Sequence, residues 1–189
     1  MTTTTQTLAA PFAGFVRSNR LFPLVVGLLL GALQTGLFFQ LTFTLSSGFG
    51  TYLLITLCWL SGGALGASFL HRLPVTLRQL QALMLAAYAL CGLLVVLNPF
   101  DTRLVPVYML LIGAAGLYPG VFFARWSGGV TARGLFFWEN NGFVLGIVAT
   151  TVLFMLGGRT VLWALPAALA LAVWRMSGAP SPHGHEGAA

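Results

Sequence analysis

Six apolar runs follow one another along this chain with only short connections between them: Phe22 to Leu45, Thr51 to Leu70, Leu80 to Leu97, Leu104 to Ala124, Gly134 to Leu156, and Thr160 to Trp174. A spanning helix needs about 20 apolar residues, so these runs use up nearly all of the 189 residues and leave no room for an appreciable soluble domain. Only 6% of the residues are charged. A water-soluble domain carries about 25%, and without that polar surface the chain has to fold in lipid. The expected fold is all-α: a polytopic bundle of six transmembrane helices over residues 21–175, with a cytoplasmic N-terminal segment (1–20) and a flexible C-terminal tail (176–189). The apolar run from Phe22 is too long for a cleaved signal core and reads as a retained first helix.

The net charge of +6 comes from nine arginines scattered singly at the ends of the apolar runs, against three acidic residues. That distribution points to topology and not to nucleic acid. With the N-terminus inside, Arg17, Arg20, Arg72, Arg78, Arg125, Arg133 and Arg175 lie on one side of the membrane, and Arg103 and Arg159 on the other. This places both termini in the cytoplasm, and the expected location is the bacterial inner (plasma) membrane. Cys58 and Cys91 each sit within an apolar run and read as small buried hydrophobes.

Four runs carry a pair of glycines at four-residue spacing: Gly27 and Gly31, Gly62 and Gly66, Gly116 and Gly120, Gly142 and Gly146. Such a pair occupies one helix face and lets a neighbouring backbone approach closely, which is how helices associate once lipid has removed the hydrophobic drive between them. These eight glycines are expected to pack the bundle.

Polar groups at depth are few. Glu139, with Asn140 and Asn141, lies some six residues into the fifth run, where an ionisable group marks either a site or a buried pair. The same carboxylate is close enough to a helix N-terminus to be favoured by the dipole, and Arg133 or Arg125 could pair with it. Gln34 shares a face with Gly27 and Gly31 and is expected to bond across to another helix; Gln40 is a second amide at depth. Together Glu139, Asn140, Asn141 and Gln34 form the candidate intramembrane polar site. Pro119 is expected to interrupt or kink the fourth span near its end.

Enzymatic chemistry finds no support. Only one carboxylate lies within a run, no nucleophile stands with a base partner, and GxGxxG, GxxxxGK[ST], HExxH, CxxC and GxSxG motifs are missing from the sequence. His71, His183 and His185 lie outside the mid-membrane region, so no axial haem pair is expected, and neither a metal nor another cofactor is implied.

The segment from Gly113 to Arg125, GAAGLYPGVFFAR, followed by Leu135 to Gly146, LFFWENNGFVLG, resembles the multispanning membrane domain of spermidine synthase-like proteins. Tyr118-Pro119 matches that family's aromatic-proline step, Glu139 falls where its Asp or Asn stands, and Gly142 and Gly146 match its glycine pair. Gly62 to Gly66 before a basic loop also looks like the corresponding segment, and like half of a major-facilitator transporter. The aminopropyltransferase-like domain of that family has no counterpart in these residues, so none of its catalytic residues is carried over. The resemblance implies a non-enzymatic membrane subunit or scaffold that assembles with itself or with other membrane proteins. A small-solute transporter or transporter subunit working as a dimer, with a polar site around Glu139, is the alternative.

Overall fold

The computed structural model describes residues 21–45, 48–127 and 131–177. The expected N-terminal segment with Arg17 and Arg20, and the tail with His183, His185 and Glu186, lie outside the described residues. The described residues are 89% helical and contain no strand. In a medium that cannot hydrogen-bond, the helix is the one local structure that satisfies every backbone group within its own segment.

Six α-helices follow in order among the described residues: α1 (Leu21–Thr42), α2 (Phe49–Ser68), α3 (Leu77–Leu97), α4 (Val105–Trp126), α5 (Ala132–Gly157) and α6 (Val161–Met176). Their ends are written in the sequence. Thr76 and Gln79 form a reciprocal capping box at the start of α3. Asp101 caps the 3-10 turn that leads into α4 by accepting from the Arg103 amide at 2.9 Å. Gly158, with φ of 63°, turns the chain from α5 into α6 through a conformation that residues with a side chain rarely adopt. α4 continues through Pro119 as one helix to Trp126, so of the expected interruption or kink the helix shows no interruption.

Among the described residues five helical stretches are long and apolar enough to cross a membrane; α5 and α6 fall within a single stretch, Ala132–Met176. The chain is therefore an integral membrane protein. At a rise of 1.5 Å per residue the 16 residues of α6 extend about 24 Å, less than a hydrocarbon core of about 30 Å.

Packing is built from two tight helix pairs, α1 with α5 and α2 with α4. In each pair the helices run in the same direction: Gly27 meets Glu139 and, one turn on, Gly31 meets Phe143, just as Gly62 meets Gly113 and Gly66 meets Leu117. α3 lies against α4, and α6 lies against both α1 and α3. The most deeply buried helix is α1, whose Val26, Leu29, Leu30, Leu33 and Leu37 fill the middle of the core.

Contacts between helix ends gather five arginines at one end of the bundle. Arg125 at the end of α4 donates to carbonyls of the loop after α2, Phe123 packs on Phe136 at the start of α5 (ring centroids 6.2 Å apart), and Arg78 of α3 lies over Trp174 of α6. Arg72, Arg78, Arg125, Arg133 and Arg175 thus share one end. Arg103 and Arg159 lie in turns at the other.

Candidate functional site

The eight paired glycines form two interlocked seams. A Cβ built on Gly27 or Gly31 would run into the backbone of α5 at Glu139 or Phe143, and one on Gly142 or Gly146 would run into α1 at Leu24 or Leu28. The second seam works the same way: Gly62 and Gly66 face the backbone at Gly113 and Leu117, and Gly116 and Gly120 face Trp59 and Gly63. At all eight the approach would be under 3.0 Å, which real Cβ atoms essentially never show. Each glycine on one helix is opposed by backbone flanking a glycine on the other, so the two helices mesh over about two turns.

Glu139 sits on the first seam and is 6% exposed. Its carboxyl has no ion pair with any described arginine. The expected partner Arg125 is committed elsewhere: its Nε donates to the His71 carbonyl at 3.3 Å, and its two terminal nitrogens donate to Val75 and, at 2.8 Å, to Leu73. Arg133 is exposed. A planar guanidinium fork reaches three carbonyls at once because the loop after α2 curls around it, and the loop turns its carbonyls inward because Arg125 is there to receive them. Arg125→Lys is expected to free that loop, with about tenfold faster hydrogen exchange across residues 69–76, equivalent to about 1.4 kcal/mol.

The other three candidate residues do not converge on Glu139. Asn140 and Asn141 are exposed, on the outward side of α5 among Phe136, Phe137, Val144 and Leu145. The Asn141 Nδ2 donates to the Phe137 carbonyl of its own helix at 2.7 Å, while Asn140 makes no hydrogen bond to another described residue. Gln34 is half-buried, and in place of the expected cross-helix bond it makes none among the described residues. It lies seven residues beyond Gly27 on α1, which puts it about 10 Å along the bundle from the Glu139 level.

A buried polar chain instead joins α1, α3 and α6. The Gln40 Nε2 donates to the Tyr88 hydroxyl at 3.0 Å, and that hydroxyl donates in turn to the Leu162 carbonyl. The acceptor is free because residue 166, four positions on, is proline and has no N–H to give it. Space for the chain comes from two glycines: a Cβ at Gly36 would strike the Tyr88 hydroxyl, and one at Gly92 would strike the Gln40 Oε1 and Trp163. About two turns nearer the arginine end, the buried Gln81 donates from Nε2 to the Ala170 carbonyl at 2.8 Å. Sequence reasoning passed over Tyr88 and Gln81, since each stands alone in an apolar run. The signals present were a proline four residues after a buried leucine, and two glycines outside any four-residue pair.

No family model, curated protein or solved structure matches this chain. Its class rests on the fold itself, an all-helical integral membrane bundle closed by glycine seams.

Proposed function

We propose that the chain is a non-enzymatic integral membrane subunit or scaffold, similar in plan to the membrane module of spermidine synthase-like proteins, that assembles with a second copy or with other membrane proteins through the outer face of α5. One observation carries this reading: two primary amides, Asn140 and Asn141, stand exposed among apolar side chains about 12 Å into α5. Amides left facing hydrocarbon are costly, and across a helix interface they gain partners. In this reading α6 completes a sixth crossing, and both termini are cytoplasmic because five described arginines share one end of the bundle against two at the other.

Native mass spectrometry of the protein, released from its own membrane in mild detergent, tests the proposal. The expected result is a dimer or a complex that Asn140→Leu/Asn141→Leu converts to folded monomer, with at least a tenfold loss of association, or about 1.4 kcal/mol.

The carrier alternative draws on Glu139, a carboxyl buried on the α1–α5 seam without an ion pair among the described residues. It would require Glu139, Asn140, Asn141 and Gln34 to line one path, and they lie on different faces and at different depths. Solute flux in proteoliposomes that survives Glu139→Gln would remove Glu139 from any transport site.

A further inference from the structure

A groove of about 370 Å³ runs between α3 and α6, lined by Leu85 and Ala89 on one side and by Trp163, Pro166, Ala167 and Trp174 on the other. Tyr88 and Ala170 also line it, and each is tied across the two helices, the Tyr88 hydroxyl donating to the Leu162 carbonyl and the Ala170 carbonyl accepting from Gln81. Pro166 lines the groove and offers no N–H along that wall. From Trp174 to Trp163 the groove extends about 17 Å at 1.5 Å per residue, roughly half of a hydrocarbon core of about 30 Å. That is about the length of one acyl chain and takes in most of α6.

The end of the groove is basic. The Arg78 guanidinium stacks over Trp174, 5.5 Å from the ring centroid, so its face is occupied while its N–H edges stay open. Arg175 is the next residue on α6, and both arginines are exposed. No acidic residue described here stands at this end: Asp101 caps the turn at the opposite end, and Glu139 is buried on the α1–α5 seam. An apolar slot about one acyl chain long, topped by guanidinium with no acidic partner among the described residues, matches one ligand chemistry, an acyl chain joined to an anionic phosphate headgroup.

We propose that the α3–α6 groove is a binding site for an anionic glycerophospholipid, with one acyl chain along Ala167 and Pro166 and the phosphate on Arg78. The site lies apart from Asn140 and Asn141 and does not depend on assembly through α5.

The test is native mass spectrometry of the full chain in non-ionic detergent, titrated with phosphatidylglycerol or with phosphatidylcholine of the same acyl chains. One retained phosphatidylglycerol is expected, preferred about fivefold over phosphatidylcholine, as a single basic residue near a membrane surface would give. Arg78→Gln should bring that preference close to one. Ala89→Phe/Ala167→Phe, which fills the groove from its open side, should lose both lipids while keeping the helical circular dichroism of the parent. Arg78 is an exposed side chain, so Arg78→Gln decides the matter if the filled variant fails to fold. Equal retention of the two lipids by the parent, an unchanged preference in Arg78→Gln, or undiminished binding in a folded Ala89→Phe/Ala167→Phe protein would each overturn the site. So would a parent dimer that the filled variant dissociates with no lipid bound, since the groove would then hold a second copy.

Discussion

Gly62→Ala and Gly63→Ala, one residue apart on α2, should behave oppositely. A methyl at Gly62 would enter the backbone of α4 at Gly113, whereas one at Gly63 would meet only the Gly116 carbonyl at 3.7 Å, an ordinary contact. Gly62→Ala is therefore expected to cost about 3 kcal/mol, at the upper end for over-packing, because the obstacle is main chain and cannot rotate away. Gly63→Ala should be neutral or stabilising by up to about 1 kcal/mol, the difference in helix propensity between the two residues. Leucine at Gly142 or Gly27 should prevent folding altogether, since it would force α1 and α5 apart. Gly50, with nothing within 4 Å of the position a Cβ would take, is the neutral control. Unfolding by SDS in mixed micelles reads all of these. Equal losses at Gly62 and Gly63 would mean that the seam is not as close as described.

Tyr88→Phe should destabilise the bundle by about 1.2 kcal/mol, since interhelical bonds in membranes average about 0.6 kcal/mol and this hydroxyl takes part in two. Its removal strands the Gln40 amide and leaves the Leu162 carbonyl without a donor. The proline gives the expectation a sharper form. Pro166→Ala restores an N–H within the helix that can satisfy Leu162, so Tyr88→Phe should cost less in that background, with a coupling of about 1 kcal/mol in a double-mutant cycle. Strictly additive losses would show that Tyr88 stabilises by its ring alone, which packs edge-on to Trp163 with centroids 6.3 Å apart.

These two cases show how much of the fold was legible in the sequence. Run length and composition gave the membrane helices, with α1 at Leu21–Thr42 against an expected 22–45 and α6 at Val161–Met176 against 160–174. The two estimates differ at the ends because hydropathy follows side chains, whereas helix termini follow backbone caps such as Thr76 and turns such as Gly158. The spacing of the glycines identified faces that can approach closely, but not which helices pair. That α1 meshes with α5 and α2 with α4 is a matter of tertiary arrangement, since a Gly-x-x-x-Gly face fits any other. For the same reason Arg125 reads in sequence as a topology marker, while in the structure it binds the carbonyls of the loop after α2.

For the candidate site, the sequence located polar groups along α5 and α1 but not the directions in which they point. Glu139, Asn140 and Asn141 are consecutive, and successive residues on a helix point about 100° apart, so a single cluster in sequence becomes one inward carboxyl and two outward amides. The sequence does not say which of the three faces inward. The glycine seam settles it, because Gly142 must meet Leu24 and this turns Glu139 toward α1.

The most direct measurement is photo-crosslinking in intact membranes, with a photoreactive residue placed at Asn140 and, as a control, at Leu57, an exposed position in the middle of α2. Assembly through the outer face of α5 predicts a protein adduct from position 140, either with a second copy or with a partner, and only lipid adducts from position 57. Lipid adducts alone from both positions would contradict it.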